Sequence, residues 1–252
     1  MKRRIIYLSA IIILFALVFG VPTIYKIYVA IPPECPPGTL RPEGMTDGPC
    51  PYLDGRYLSP YGVMWARSFK VREGSYNGVA YIQNPNDNAG VAEVNYRFRL
   101  FDDSNVLVAD KEGRTFIMPG GITPVFVSSI PTGNREVVHT FFDFTSPLIW
   151  QIATDTTKYI VVTNKKIEDV GTAPRLSADA QNTTVVPIRN LSFVAVVFDP
   201  QGNAFASSAT VVPFLGPNAT TKVVFTWPQA FPIDVGRLDV IARVPPDILT
   251  QR

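Results

Sequence analysis

The sequence of 252 residues contains one histidine, His139, and two cysteines. Any Ser-His-Asp or Cys-His catalytic site would have to use His139. A histidine-based zinc site would need more nitrogen and sulfur ligands than the chain supplies. His139 lies in the stretch 137–142, whose alternation places it on a strand face. We therefore predict a structural or surface histidine, and a protein without catalytic, metal-binding or cofactor-binding residues.

Loops of the kinds that bind phosphate or calcium are also lacking. Residues 119–121, Pro-Gly-Gly, lie between two strand-like segments and predict a hairpin turn, with no helix amino terminus to hold an anion. The oxygen-rich segments 84–88 and 102–105 do not match the spaced acidic pattern of a calcium loop, and Asn-rich turns are common for backbone reasons. Three glycosylation sequons are interpreted as turn residues: Asn182, Asn190 and Asn218.

Charge is sparse and nearly balanced, with 17% charged residues and a formal net charge of +2. Residues 1–30 hold four of the 23 Lys and Arg and no Asp or Glu, so the remainder carries 19 basic against 21 acidic residues, a net charge of −2. A nucleic-acid partner would require a basic patch. The near-neutral remainder therefore argues against nucleic-acid binding.

An apolar run begins the chain. Residues 5–21 carry no charge, and the run continues to residue 31 with Lys26 as the only interruption. It can cross a hydrocarbon core of about 30 Å at about 1.5 Å per residue. The basic residues 2–4 before it predict a cytoplasmic amino terminus. We predict that residues 1–31 are a basic tip and a transmembrane helix, which contacts the membrane through residues 5–31, and that the rest of the chain is extracytoplasmic. The alternative is a cleaved signal peptide, although no small-x-small cleavage site closes the apolar run.

A proline-rich stalk, residues 32–62, follows this anchor and holds both cysteines. Proline locks φ and favours extended spacers. Cys35 and Cys50 are fifteen residues apart, and an oxidising exterior favours a disulfide between them. Closing such a loop stabilises the fold by about 3 kcal/mol in the chain-entropy model. A metal site is the alternative, but two thiolates without a nearby histidine leave half a tetrahedral shell empty.

The rest of the chain consists of strand-like segments separated by turn residues, without a helical period. Thirteen short segments at this density are typical of immunoglobulin-like sandwiches. The segments of the first half are 63–71, 75–83, 91–101, 106–109, 114–118, 124–130 and 137–144, and those of the second half are 159–162, 175–180, 191–198, 204–212, 221–227 and 237–244.

Landmarks of the first half recur in the second half. Gln83-Asn84 recurs as Gln181-Asn182 at an offset of 98, and Phe101-Asp102 recurs as Phe198-Asp199 at an offset of 97. A nearly constant offset is typical of a duplicated domain. We predict an all-β ectodomain of two tandem immunoglobulin-like β-sandwiches, residues 63–146 and 147–252, preceded by the N-terminal transmembrane helix.

The central strands of the two halves differ in their apolar pattern. In 96–101, Phe98 and Leu100 alternate with arginines, as a sheet with one wet face requires. Residues 193–198, by contrast, are apolar throughout. This second strand is therefore either covered on both faces by its own protein or exposes one face to a partner.

A family resemblance rests on this repeated pattern. In each half an apolar strand runs into Phe-Asp, a polar turn and a return strand, and a proline-containing turn precedes the next strand. The first half shows this pattern in Leu100-Phe101-Asp102-Asp103-Ser104-Asn105 and Pro119-Gly120, and the second half shows it in Val197-Phe198-Asp199-Pro200-Gln201-Gly202 and Gly216-Pro217-Asn218. The pattern resembles the FxLYD-type domain, a bacterial relative of the late-embryogenesis-abundant, immunoglobulin-like sandwiches. The layout also resembles single-span bacterial envelope proteins. The resemblance implies an extracytoplasmic β-sandwich without known catalytic residues.

The function that follows from these features is non-enzymatic. We expect a membrane-anchored interaction or scaffold protein of the cell envelope that binds a protein or an envelope polymer through sheet edges or loops. One alternative is an accessory subunit of a membrane or secretion assembly, recruited by the transmembrane helix. The other is an envelope hydrolase whose carboxylates are Asp102 and Asp103.

Overall fold

A computed structural model describes residues 35–41, 43 and 50–246 of the protein. These residues form fifteen strands and two single-turn 3₁₀ segments, Gly55–Tyr57 and Thr157–Tyr159, and no α-helix. The all-β prediction is confirmed for this part of the chain. No helix there is long and apolar enough to span a membrane. The predicted anchor, residues 1–31, lies outside the described residues.

The strands are short and closely spaced along the chain. In order they are β1 (Thr39–Leu40), β2 (Tyr52–Leu53), β3 (Gly62–Arg72), β4 (Ser75–Gln83), β5 (Ala89–Phe101), β6 (Leu107–Ile117), β7 (Ile122–Pro131), β8 (His139–Phe144), β9 (Trp150–Ile152), β10 (Ile160–Glu168), β11 (Arg175–Asn182), β12 (Ile188–Phe198), β13 (Ala204–Leu215), β14 (Thr220–Thr226) and β15 (Arg237–Arg243).

The chain divides after Tyr52 into two compact units. In the first unit Cys35 and Cys50 form a disulfide with a Cα–Cα distance of 5.8 Å, as predicted. The hydroxyl of Thr39 donates a hydrogen bond to the Pro36 carbonyl at 2.7 Å, and the Thr39 backbone N–H donates to the same oxygen at 3.0 Å. Both the disulfide and this turn lie within the predicted stalk.

The second unit contains four antiparallel sheets, which we number I to IV. In sheet I, β5 pairs with β6 on one side and with β8 and β9 on the other; sheet II has the order β3-β4-β7, sheet III the order β13-β12-β15, and sheet IV the order β10-β11-β14. Because β9 pairs with β5, the chain leaves sheet I only after Ile152, which lies beyond the predicted boundary between residues 146 and 147.

Two apolar cores lie within sheet pairs. The first core, between sheets I and II, includes the fully buried side chains Ile82, Phe98 and Leu100. Phe98 and Leu100 point inward and Arg97 and Arg99 outward, as the alternation of this strand predicted. The second core, between sheets III and IV, is built around Leu176, Phe193 and Phe225. Each sheet pair therefore has a core of its own.

A third apolar layer joins the two pairs through sheets II and III. It consists of buried side chains from both sheets, namely Phe69, Val79, Tyr81, Val194, Val196, Phe198 and Ala204. Residues 193–198 of β12 are therefore buried on both faces: Phe193, Ala195 and Val197 enter the second core, and the residues between them enter the third layer. The apolar run 193–198 is thus covered on both faces within the protein.

Polar contacts cross the same layer. The side-chain amide of Asn77 donates to the Ser207 carbonyl at 3.2 Å, and Nη1 of Arg67 donates to the Ala204 carbonyl at 3.0 Å. The Tyr81 hydroxyl donates to Oδ2 of Asp239 at 3.3 Å. These bonds are directional, so they set the register of sheet II against sheet III where apolar packing alone would permit sliding.

A buried asparagine closes the corresponding loop in each half. Asn84 and Asn182 are fully buried where β4 and β11 end. Nδ2 of Asn84 donates to the carbonyls of Ala89 and Met118, and its Oδ1 accepts from the backbone N–H of Asn86. In the same way, Nδ2 of Asn182 donates to the carbonyls of Val186 and Gly216, and its Oδ1 accepts from the backbone N–H of Thr184. The offset of 98 that relates the two asparagines also relates Met118 to Gly216 and Asn86 to Thr184.

Replacing either buried asparagine with alanine should lower the free energy of unfolding by about 2 to 4 kcal/mol, because buried carbonyls lose their donors. The losses in Asn84→Ala and Asn182→Ala should add, since the two residues share no partner. Asn88→Ala, at an exposed position in the same loop as Asn84, is the control and should change stability by less than about 0.5 kcal/mol. Urea denaturation measures the free energy of unfolding of all three variants. An Asn84→Ala variant that is as stable as the wild type would contradict the role of the Asn84 amide.

The phenol of Tyr81 should make stability depend on alkaline pH. Burial, followed by the charge of Asp239, raises the pKa of Tyr81 far above its ordinary value. Above about pH 10 the unfolded chain ionises this phenol and the folded chain does not. The stability that Tyr81 contributes is therefore present below pH 10 and lost as pH rises.

Tyr81→Phe should reduce this loss by up to about 1.4 kcal/mol for each pH unit above 10. Free energies of unfolding at pH 8, 10 and 11 test it. Tyr57→Phe, at a 70% exposed side chain, is the matched control and should keep the wild-type pH profile. Parallel profiles of unfolding free energy against pH for the wild type and Tyr81→Phe would show that Tyr81 does not cause the pH dependence of stability.

Candidate ligand-binding groove

The single histidine lies on the surface. His139 begins β8, pairs in register with Phe101 and is exposed. Among the described residues no group of three or more His, Cys, Asp or Glu side chains is gathered as a metal ion would need. His139 therefore has no described neighbours with which to form a metal site.

Asp102 organises the turn between β5 and β6. Its Oδ1 accepts hydrogen bonds from the backbone N–H groups of Val106 at 2.8 Å and Ser104 at 3.1 Å, and its Oδ2 pairs with Arg135. The hydrogen bond from Val106 is the main cause that lowers the pKa of Asp102. Both oxygens of this carboxylate are thus engaged in the turn.

Asp199 does the same between β12 and β13. Its Oδ1 accepts from the Asn203 backbone N–H at 2.7 Å and its Oδ2 from the Asn203 side chain at 3.1 Å. That backbone hydrogen bond lowers the pKa of Asp199. Asp103, which has no acidic counterpart in the second turn, is exposed and accepts only a 3.2 Å bond from the Ser104 hydroxyl. The repeated acid is therefore structural, and the adjacent acid is a solvated surface group.

The other oxygen-rich segments also form turns. Oδ1 of Asn86 accepts from the Ser59 backbone N–H, and its Nδ2 donates to the Ser59 carbonyl, each at 2.9 Å. Of the three sequon asparagines, Asn182 is buried, and Asn190 and Asn218 have φ values of 51° and 50°. A positive φ is typical of asparagine in turns.

A groove of about 650 Å³ opens where sheets II and III diverge. The lining residues come from both sheets and include Ser128 and Ser129 on β7 and Ser192 on β12. Ser208 and Thr210 on β13 also line it, but they pair with Ala195 and Phe193, whose side chains face the second core. None of these hydroxyls has a hydrogen-bond partner among the described residues. The apolar part of the lining includes Phe126, Val71 and Val194. The groove therefore presents unused polar groups beside apolar surface, a combination that small-molecule sites share.

Arg243 is the charged residue of this groove. It lies on β15 between Ala242 and Val244, which face the second core, so its side chain faces sheet II. Its Nη2 donates to the Thr115 hydroxyl at 2.8 Å, and its guanidinium carbon lies 4.6 Å from the centre of the Phe116 ring.

The charge of Arg243 is not neutralised by the described part of the protein. Its Nε is sealed from solvent without an acceptor, and no described carboxylate forms an ion pair with the residue. Burial lowers the pKa of Arg243 to about 10, which reports the cost of desolvating the cation. None of the described lining residues is acidic. The guanidinium itself lies against Thr115 and Phe116 of β6, which do not line the groove.

An aromatic pocket of about 300 Å³ shares Val71 with the groove. The rings of Trp227 and Phe205 each lie 5.2 Å from Phe231, and Lys70 lines the pocket edge. The Trp227 indole donates to the Ser207 carbonyl at 3.1 Å, which fixes the ring. Rigid aromatic surface therefore adjoins the polar groove.

Sequence reasoning missed both the groove and the pocket. One available signal was a charge inside an otherwise apolar strand, because Arg243 interrupts the run Val240–Val244. The hydroxyls carried no signal, since they come from three strands that are distant in sequence and meet only when sheet II packs on sheet III.

Asp102→Ala should lower the melting temperature by about 2 to 4 °C, because the backbone donors of the turn lose their acceptor. Asp103→Ala should leave it within about 1 °C. Differential scanning calorimetry compares the melting temperatures of the two variants, which remove neighbouring acids of the same turn. Equal effects would contradict the assignment of Asp102 to the turn.

Comparisons with known proteins add little. No family model and no curated protein matches the sequence. Among solved structures the chain is similar to the crystal structure of red sea bream transglutaminase, with 9% identity over 74% of this chain and 32% of that chain, and a TM-score of 0.25. The chain thus spans about a third of the length of that protein. A likeness at this TM-score carries no argument.

Proposed function

We propose that the protein is a non-enzymatic interaction module of the cell envelope that binds its partner in the groove between sheets II and III. The observation that carries this function is the groove itself, whose described lining combines serine residues from both sheets with apolar side chains. The third apolar layer and its crossing hydrogen bonds hold the two walls together. A preorganised groove binds without the entropic cost of ordering its walls.

The envelope location rests on the amino-terminal sequence and on the stalk. Residues 5–31 serve as the membrane anchor, and residues 32–252 lie outside the cytoplasmic membrane. The disulfide between Cys35 and Cys50 supports this location, because disulfides persist in oxidising compartments. In this arrangement sheets I and II form one immunoglobulin-like sandwich and sheets III and IV its duplicate. The recurring hydrogen bonds of Asn84 and Asn182 support the duplication.

The carboxylates favour binding over hydrolysis. The pair Asp102 and Asp103 supplies one carboxylate held in a turn and one exposed on the surface. A glycosidase needs one acid with a raised pKa and a second carboxylate across the scissile bond. Asp102 has a lowered pKa instead.

A pull-down with the full-length protein and with the 31–252 ectodomain separates the functions. The ectodomain should retain the partner captured by the full-length protein. Capture by the full-length protein alone, abolished when residues 5–31 are replaced by another transmembrane helix, would overturn the groove-binding function in favour of an accessory subunit recruited through its anchor.

A groove variant makes the same test specific. Ala209→Trp places a ring in the groove and should reduce capture at least tenfold. Val161→Trp is the matched control, because Val161 is an exposed position of sheet IV and does not line the groove. Unchanged capture by Ala209→Trp would locate the partner elsewhere.

A further inference from the structure

The free edge of β13 lacks the features that usually keep a sheet edge from pairing with another chain. β13 pairs only with β12, so its other side is an edge of sheet III. Edges are usually protected by charged residues, prolines or irregular backbone. The edge strands β3, β6, β8, β10, β14 and β15 contain charged residues, and β7 contains Pro124 and, at a φ of 56°, Ser129. Residues 208–212 of β13 have none of these features.

The backbone groups on this edge can be assigned from side-chain hydrogen bonds. The Ser207 carbonyl accepts from the side chains of Asn77 at 3.2 Å and Trp227 at 3.1 Å. These bonds use both lone pairs of the oxygen, so it points away from β12. Backbone groups of successive residues in an antiparallel strand point to opposite sides. Ala209 and Val211 therefore also point their N–H and C=O groups to the free edge, where no described strand or side chain bonds to them.

Strand β12 gives the same assignment. Its Phe198 carbonyl accepts from the Gly236 N–H, on the side of β15. By the same alternation Phe193 bonds to β13, through its partner Thr210. The two neighbours of Thr210 therefore face the free edge.

The open stretch is bounded at both ends and is symmetric about its centre. On one side the Ser207 carbonyl is already occupied, and on the other side Pro213 has no N–H to donate. Between them Ala209 and Val211 each offer a free donor and a free acceptor, one residue on either side of Thr210. The edge can therefore pair with its own sequence.

Pairing with a second copy satisfies every open group in one register. With two β13 edges antiparallel and Thr210 opposite Thr210, Ala209 of each copy lies opposite Val211 of the other, and each such pair exchanges both hydrogen bonds. A register centred on Ala209 would place Val211 opposite Ser207, whose carbonyl is occupied. A register centred on Val211 would place Ala209 opposite Pro213, which has no donor. Because β13 is uncharged, self-pairing brings no like charges together.

The side chains fit the same register. Ala209 and Val211 pair with Val194 and Ser192 and line the groove, and the Val211 side chain is 56% exposed. In the paired edge Val211 packs beside the small side chain of Ala209 from the second copy. On the opposite face the two Thr210 side chains meet, and a Thr–Thr pair across strands is favourable.

We infer that β13 pairs with β13 of a second copy, so that sheets III of two chains form one continuous sheet across a two-fold axis at Thr210. This inference rests on the proposed function and names its partner, because Ala209 and Val211 line the groove. Both strands of such an interface present the same surface, so the assembly closes as a dimer.

Sedimentation of the full-length protein in detergent tests the inference. The wild type should be a dimer. Val211→Lys should raise the dissociation constant at least about tenfold, because a lysine would be desolvated beside Ala209 of the second copy. Val161→Lys is the matched control, since Val161 is an exposed valine on the edge strand β10, and it should leave the dimer intact. A monomeric wild type, or a dimer that Val211→Lys leaves intact, would overturn the inference.

Cross-linking tests the register. The Cα atoms of directly opposed residues that share no hydrogen bond are about 4.5 Å apart, within the range of about 4.4 to 6.8 Å that a disulfide requires. Thr210→Cys should therefore form a covalent dimer under mild oxidation, since Cys35 and Cys50 are already paired. Ser208→Cys, on the same face, lies four residues from its own copy and should not. Equal cross-linking of the two variants, or none in Thr210→Cys, would contradict this register.

The outcomes separate this inference from the proposed function. If the wild type is a monomer while the ectodomain still captures a partner that Ala209→Trp loses, the partner is not a second copy and the proposed function stands. If Ala209→Trp captures its partner normally, the proposed function itself fails.

Discussion

Strand β12 packs into two apolar layers at once, and the arrangement of the four sheets depends on it. Its odd-numbered residues from Phe193 fill the core between sheets III and IV, and its even-numbered residues from Val194 pack on sheet II. Fully burying a Val or Phe side chain contributes about 1.5 to 3 kcal/mol. A strand buried on both faces therefore stabilises both its own sandwich and the stacking of the two pairs, and one polar substitution in it would affect both.

The groove is a consequence of that stacking. Sheets II and III are in contact along Val79, Tyr81 and Val196 and diverge toward Ser129 and Arg243, where the lining changes from apolar to polar. The buried contacts fix the separation of the walls, and hydrogen bonds such as that from Asn77 to Ser207 fix their register. The geometry of the open end thus depends on apolar packing at the closed end.

Local patterns predicted much of the fold. The alternation in 96–101 correctly placed Phe98 and Leu100 inward, and the spacing of Cys35 and Cys50 correctly paired them. The repeated landmark at Asn84 and Asn182 marked residues that make equivalent hydrogen bonds. These features lie within a strand, a loop or a short separation, where sequence pattern and structure are directly coupled.

What the sequence did not reveal depends on contacts between distant segments. The continuous apolar character of residues 193–198 indicated that the second face of this strand is either buried within the protein or exposed to a partner. Nothing in the local sequence identified β4 as the strand that packs on this face. The pairing of β9 with β5 was missed because three residues carry too little periodicity to indicate a partner. Arg243 resembles a surface residue until the Phe116 ring and the Thr115 hydroxyl are found beside it.

The double burial of β12 also has a consequence for the order of synthesis. Sheet II is complete once Pro131 has been made, but β12 ends only at Phe198. At about 5 to 20 residues per second, the apolar face of Val79 and Tyr81 stays uncovered for on the order of 3 to 13 seconds after its own sheet can form. In the later part of that interval, once Ile152 completes sheet I, the first half of the protein can fold while this apolar face is still exposed. Its nascent chain therefore needs protection from other chains at a stage when its own core is already closed.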